Sequence, residues 1–405
     1  MTQQIVPVDF RIVQAVQEFS RDGGTETVAF ELQRAWEADG TPSSVLAAVI
    51  GPDVPAAARM QVRFALPTLL QHIPTRGRWR HLGRSVLVPA YTVAASIMLR
   101  RDQHGSGGTD EPVVLSHGDS LVADVVVLHA VNAANLAQKR LDREWRWMFN
   151  PLHFWVGVRD RLMLRGLRAR RYVAVSNRVV GELERLHGIP RDRISVIPNG
   201  TDIARFSPDG PMAGLREACG IGVDDTMLLF VGHEFDRKGL KYAIAALCHP
   251  GCARAHLVAV GAGDIARYTA MANAMGVGMR VHFAGPRNDL PAIYREADGF
   301  VFPTAYETFS LVCMEAMACG VPIFATRVGG IEDYLEDGVN GHAIERDGAM
   351  IAAVLGAALA DPAARARLRD GARRTALSYG WDEVARRYRA LLLQVWQEKR
   401  ACHEG

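Results

Sequence analysis

The sequence predicts an α/β fold of two doubly wound, Rossmann-like domains facing a central cleft. Three observations predict it. Short apolar runs close on Gly or Pro, helical patterns separate those runs, and a turn signal at Ile197-Pro198-Asn199-Gly200 divides the chain near its middle. Strands alternating with helices build βαβ units and hence parallel sheets. Runs this short, closed by turn residues, read as strands and not as core helices.

The elements follow in order. A Gly-rich turn, 20–24, precedes a helix over 26–38, and strands are expected at 45–50, 113–116, 125–129 and 172–176. The pattern between 52 and 108 assigns to nothing, and 103–109 reads as an exposed loop. The second half is clearer, with strands at 227–231, 255–260, 281–284, 297–302 and 321–325 and helices at 239–247, 290–296 and 311–319. The first domain is placed at 1–198 and the second at 199–380. A final amphipathic helix within 381–405 carries Val384, Tyr388, Leu391, Leu392 and Val395 on one face and is expected to pack back on the first domain.

Composition narrows the class. With 405 residues, 49% hydrophobic and 22% charged, the chain suits two or three globular domains and excludes a disordered one. Its six cysteines contain no CxxC pair, which argues against a disulfide scaffold and a zinc site. No signal peptide and no apolar run of about 20 residues is visible, so a cytoplasmic setting is expected. Charge is uneven, with a net of +6 over 1–200 and −3 over 201–405.

Ligands of open α/β sheets bind beyond the carboxyl ends of the strands, so the residues there carry the candidate chemistry. After the run 227–231 comes Gly232, then adjacent Arg237 and Lys238, which suit a diphosphate. After 297–302 come Glu307 and Glu315, flanking the start of a helix. Amides near Phe309, Ser310, Leu311 and Val312 offer a phosphate site there, and a carboxylate on either side can accept from sugar hydroxyls. Gly261 and Gly263 imitate a dinucleotide fingerprint, but a tight strand-to-helix turn explains them as well. Gly23-Gly24 allows either a plain turn or a close backbone approach to a ligand. His117 and His129 each end a strand, where a histidine is more often a satisfied edge residue than a catalyst.

Together these pieces resemble family 4 of the retaining glycosyltransferases, which have the GT-B fold. The resemblance rests on Val175-Ser176-Asn177, Pro198-Asn199-Gly200-Thr201-Asp202, Arg237-Lys238-Gly239, the span from Glu307 to Pro322, and Gly329-Gly330 through Gly341. It is dense from about 172 to 345. It implies that Glu307 binds hydroxyls of the donor sugar, Glu315 the ribose, and Arg237 with Lys238 the diphosphate leaving group. Gly232 and the backbone at Ser310, Leu311 and Val312 would also lie at the donor. Gly23 and Gly24 would approach the donor from the other domain, and His129 would lie near the reacting sugar. Where many members have Arg, this chain has His233. Its compact spacing from Gly232 to Arg237 looks like the subgroup that glucosylates lipopolysaccharide core. Asp-x-Asp occurs nowhere, so no metal and no cofactor beyond the nucleotide-sugar donor is expected.

The resemblance implies a retaining hexosyltransferase working from a UDP- or GDP-sugar on a glycan or lipid-linked acceptor, in bacterial surface polysaccharide or glycolipid synthesis. A nucleotide-sugar epimerase on the same fold and a non-catalytic nucleotide-binding scaffold are the alternatives. Residues 139–171 hold ten Lys and Arg against three acidic residues, interleaved with Trp145, Trp147, Phe149, Phe154 and Trp155, and 76–84 is similar. Such stretches suit an anionic membrane surface or nucleic acid. The glycosyltransferase resemblance favours the membrane, with the protein peripheral on its inner face.

Overall fold

The computed structural model of the chain describes residues 9–404 apart from 22, 72, 74–79, 106–110, 142–150 and 165–167. The chain divides into two compact units, Met1–Asn199 with Trp381–Gly405, and Gly200–Gly380.

The first unit is built on a seven-stranded parallel sheet. Its strands lie in the order Val62–Phe64, Ser43–Ala47, Ile12–Ala15, Val113–Ser116, Val125–Leu128, Arg171–Ala174 and Ile194–Val196. The chain starts in the third of these, winds to one edge, returns beside its starting strand and winds to the other edge. The reversal falls between Ile12–Ala15 and Val113–Ser116, which pair from Ile12↔Val113 to Ala15↔Ser116. Connecting segments diverge there and open a crevice. Val113–Ser116 and Val125–Leu128 are buried along their whole length, which is why they are nearly pure Val and Leu.

The segment without a readable pattern contains the long helix Arg80–Gly105. Leu87, Tyr91, Ala95 and Leu99 recur at helical spacing and are buried, and the Tyr91 hydroxyl donates to the Leu46 carbonyl at 2.6 Å. On its other side Val86, Val93 and Ile97 are about half exposed. A helix with apolar residues on both faces, interrupted by Pro89, shows no amphipathic period. The helix also includes Gln103, His104 and Gly105, so the expected loop over 103–109 is corrected there, and 106–110 lies outside the described residues. The expected strand 45–50 is two strands, because the chain leaves the main sheet at Ala48 and Val49–Ile50 pairs with Glu18–Phe19 instead.

The helix Trp381–Glu404 packs on the first unit. Val384, Tyr388, Leu392 and Val395 are buried, and Trp36 donates its indole N–H to the Ala385 carbonyl at 3.1 Å. Near its end Lys399 Nζ lies 3.0 Å from both Asp124 Oδ2 and Glu111 Oε1.

The second unit repeats the winding with six parallel strands, in the order Val281–Gly285, Ala255–Val260, Thr226–Val231, Gly299–Phe302, Ile323–Ala325 and Gly341–Ala343. Its reversal lies between Thr226–Val231 and Gly299–Phe302, paired at Leu228↔Gly299. Among the described residues, no group of three or more His, Cys, Asp or Glu is gathered as a metal site, and no single helix is long and apolar enough to cross a membrane.

Candidate functional site

Each reversal carries a cluster of polar side chains. In the second unit, Thr226–Val231 ends at Gly232, and the next turn folds Phe235–Lys238 into a single helical turn. A Cβ on Gly232 would lie 2.3 Å from Lys238 Cδ, so glycine there gives the lysine stem its path. Lys238 Nζ ends 4.8 Å from the Phe302 ring centre and 3.9 Å from Glu307 Oε1. Arg237 donates to Glu307 Oε1 at 3.1 Å, to Glu234 Oε2 at 2.8 and 2.7 Å, and to the Tyr306 carbonyl. Two cations thus meet two carboxylates around one point.

Glycines hold the opposite wall. Gly329, at φ 61°, would place a Cβ 2.0 Å from the Glu307 carbonyl oxygen. Only glycine lets that turn pass the Glu307 backbone, and Gly330 N–H donates to the Thr308 carbonyl at 3.0 Å. Beside it Leu311–Ala318 begins at Ser310, which is buried and makes no side-chain cap. Uncapped first-turn amides and the positive dipole end suit an anion. Glu315 lies further along this helix, where the Tyr294 hydroxyl donates to its Oε2 at 3.3 Å. Burial pushes its carboxyl up to about 7, against the opposing pull of Arg205 and Lys238. The glycine pair at 261 and 263 forms a tight turn. A Gly261 Cβ would fall 1.8 Å from the Gly232 carbonyl oxygen, and His233 Nδ1 accepts from Ala262 N–H at 3.1 Å, tying the two turns together.

In the first unit, Gly23 stands at φ 120° as the N-cap of Gly24–Ala38. A Cβ there would lie 2.4 Å from the Glu26 carboxylate, so the missing side chain leaves room for that group. Glu26, Glu18, Asp119, Asp160, Arg159, His117 and His129 line a pocket of about 270 Å³. Burial pushes Glu26 up to about 7 and also raises Asp119 and Asp160, which Arg159 opposes by pairing with them at 3.0 and 3.1 Å. His129 Nε2 lies 3.0 Å from His117 Nδ1, and the rings stack. Burial holds His129 down at about 4, so it is neutral near pH 7.

The structure therefore gathers Arg237, Lys238 and Glu307 in one ion-paired cluster of the second unit, near Gly232 and the helix start at Ser310, Leu311 and Val312. In the first unit it places His129 in the lining of the pocket and Gly23 against Glu26, whereas Gly24 is not among the lining residues. Sequence reasoning missed Glu26, Asp119 and Asp160. Glu26 was legible as the third helical residue after a Gly N-cap, whereas Asp119 and Asp160 belong to segments far apart in the chain. Arg159, expected at a membrane surface, is held between Asp119 and Asp160 with only 11% of its side chain exposed, and Arg171 is paired with Glu398 at 2.6 Å. Arg76, Arg78, Trp79, Arg143, Trp145, Arg146, Trp147, Phe149 and Arg165 lie outside the described residues.

Comparison with known proteins gives two adjoining family matches. Residues 22–205 match the model described as Glycosyltransferase Family 4, and 225–361 that described as Glycosyl transferases group 1. A D-inositol 3-phosphate glycosyltransferase of Xylanimonas cellulosilytica is 38% identical over 240 residues, 56% of each chain. The chain spans about half the length of this and similar curated relatives. A protein of the same name from Geodermatophilus obscurus is 28% identical over 395 residues, 89% of this chain and 82% of that one. Among solved structures, WaaG, a glycosyltransferase involved in lipopolysaccharide biosynthesis, superposes with a TM-score of 0.71 at 20% identity, covering 94% of this chain and 99% of its own. Sucrose-phosphate synthase from Thermosynechococcus elongatus gives 0.73 at 21%, covering 96% and 99%. Anabaena HepE with UDP and glucose gives 0.65 at 18%, covering 94% and 98%. At these identities the structures share the fold.

Proposed function

We propose that this chain, whose residues 22–205 and 225–361 match glycosyltransferase family models, is a GT-B glycosyltransferase that moves a hexose from a nucleoside-diphosphate donor to an acceptor with retention and without a metal. The donor is a UDP- or GDP-hexose, and the acceptor a glycan or lipid-linked sugar of surface polysaccharide or glycolipid synthesis. The observation that carries this reading is the cluster of Arg237, Lys238 and Glu307 beside the uncapped start of Leu311–Ala318.

The chemistry follows from charge. Glycosyl transfer passes through an oxocarbenium-like state as the nucleoside diphosphate departs. Negative charge grows on the leaving phosphate, and Lys238, Arg237 and the helix-start amides are the groups that would offset it. Glu307 would accept from hydroxyls of the donor sugar and Glu315 from the ribose. In the first unit, Gly23 and Gly24 would allow close approach of the donor, and His129 would meet the reacting sugar. Retention would follow a front-face course, with the departing phosphate helping to deprotonate the acceptor hydroxyl. Attachment of the first unit to the inner face of an anionic membrane would bring it to lipid-linked acceptors.

The test is a hydrolysis screen of UDP-, GDP- and ADP-sugars, with and without EDTA, followed by trials of glycan, lipid-linked and inositol-phosphate acceptors. Turnover of a nucleotide sugar that survives EDTA, with the product anomer retained, is expected. Loss of turnover on chelation that Mg²⁺ restores would remove the metal-free mechanism. A free epimerised nucleotide sugar formed without acceptor would replace transfer by epimerisation.

A further inference from the structure

A hydrogen-bond wire in the first unit has a direction that can be read from its far end. The Ala29 carbonyl can only accept, so Gln14 turns its Nε2 toward it at 3.3 Å, and the same nitrogen donates to Gln33 Oε1 at 3.1 Å. Gln33 in turn donates from Nε2 to the Glu37 carboxylate at 3.1 Å. Gln14 Oε1 is left facing His117 Nε2 at 2.9 Å. An amide oxygen only accepts, so His117 carries its proton on Nε2. A neutral imidazole has one N–H, which makes His117 Nδ1 a lone pair. That lone pair faces His129 Nε2 at 3.0 Å, so His129 must donate from Nε2. His129 Nδ1 is then a bare lone pair. It is shielded from solvent and has no hydrogen-bond partner among the described residues. Burial lowers both histidines, which keeps each ring to a single proton.

We propose that Gln14 and His117 are positioning residues that lock His129 as the Nε2–H tautomer, so that His129 meets a substrate hydroxyl through Nδ1 as a hydrogen-bond acceptor. The hydroxyl half of this inference rests on the glycosyl-transfer reading, whereas the tautomer does not. Buried polar atoms of native proteins are nearly always paired, and His129 is one of the residues that line the pocket, so its unpaired Nδ1 marks where a donor belongs. The same lone pair repels groups that only accept, such as a phosphate or carboxylate oxygen. At this point the site selects O–H.

The test is long-range proton–nitrogen correlation on the full chain with nitrogen-15 histidine, across neutral pH. His129 and His117 are assigned from the signals lost in His129→Asn and His117→Asn. Both rings are expected to be neutral with the proton on Nε2. A proton on Nδ1 of either ring, or a cationic ring at neutral pH, overturns the proposal in the wild-type chain itself. Gln14→Leu removes the acceptor that sets the direction. It is expected to shift His129 toward the Nδ1–H tautomer and to lower kcat about two- to tenfold, the worth of one hydrogen bond. Gln14→Glu keeps an acceptor oxygen and is expected to restore both the tautomer and most of the rate. Unchanged tautomers in Gln14→Leu, or an equal loss of rate in Gln14→Glu with its tautomers intact, overturn the positioning role. The expected tautomers in a chain that transfers no sugar would overturn the transfer reading and leave the wire standing.

Discussion

The two sheets wind in the same order, yet the crevices at their reversals carry opposite chemistry. In the second unit Arg237 and Lys238 meet Glu234 and Glu307 beside an uncapped helix start. In the first, Glu18, Glu26, Asp119 and Asp160 outnumber Arg159, and the two histidines are held neutral. Winding decides where a ligand can sit, and side chains decide what it can be. Cations and free amides fit a diphosphate. Carboxylates and a bare imidazole lone pair fit hydroxyls, and they disfavour a phosphate at the same place.

The contrast breaks most visibly if its cations are removed. Lys238→Ala or Arg237→Ala is expected to weaken binding of the nucleoside diphosphate about ten- to a hundredfold, since a charge-assisted contact is worth ~1.5–3 kcal/mol. Calorimetry with UDP, GDP and ADP reads this directly. Glu26→Gln in the first unit is expected to leave that affinity unchanged. Equal losses from both units would mean that the nucleotide does not belong to the second reversal alone.

A smaller effect separates the two carboxylates of the second unit. Glu307→Ala is expected to spare the bare nucleoside diphosphate and to reduce affinity for the sugar nucleotide and its turnover. Glu315→Ala is expected to weaken both ligands several-fold, because it removes one hydrogen-bond acceptor for the ribose. The pH dependence has a definite sign. Glu315 is protonated below about 7 and then accepts poorly, so nucleotide affinity rises with pH through about 7 and levels off above it. Glu315→Gln is expected to flatten that rise. Stability runs the other way. The folded state holds this proton where the unfolded state, near the ordinary carboxyl value of 4.5, has released it, so raising pH through that window withdraws stability. A pH-independent nucleotide affinity in the wild-type chain would place the ribose elsewhere.

The second unit was legible because its chemistry is local in sequence. Gly232, Arg237 and Lys238 follow one strand, and Glu307 through Glu315 follow the neighbouring one, so each half of the cluster is a short motif. The first unit resisted because its pocket is assembled from Glu26 on a helix, His117 and Asp119 after one strand, His129 after the next, and Arg159 with Asp160 on another helix. No spacing links those residues. His129 was visible as a strand end, but the reason for its protonation state lies in Gln14 and Gln33, which sequence alone gives no cause to connect to it. The helix Arg80–Gly105 was unreadable for a different reason, since apolar residues on both of its faces erase the period.

The smallest effect concerns the outside of the first unit, where Arg159 and Arg161 stand two residues apart and divide between two tasks. Arg159 points into the carboxylates, whereas Arg161 is exposed. Near it on Pro151–Leu164 are Phe154, 78% exposed, and Leu162, 43% exposed, and the adjoining helix adds Val86, Val93 and Ile97. Exposed apolar residues beside Arg101 and Arg161 suit the headgroup boundary of an anionic membrane. Each such cation contributes ~1 kcal/mol near the surface and decays within a Debye length of about 8 Å at physiological salt. The chain is therefore expected to co-sediment with vesicles containing anionic lipid and to release as salt rises. Arg161→Ser and Arg101→Ser are each expected to weaken that binding about fivefold, and Phe154→Ser to weaken it in neutral vesicles as well. Arg159→Ser is expected to leave sedimentation unchanged and to disturb only the pocket. A chain that stays in the supernatant with anionic vesicles at low salt has no membrane face here. An Arg159→Ser variant that loses sedimentation as strongly as Arg161→Ser would erase the division between the two arginines.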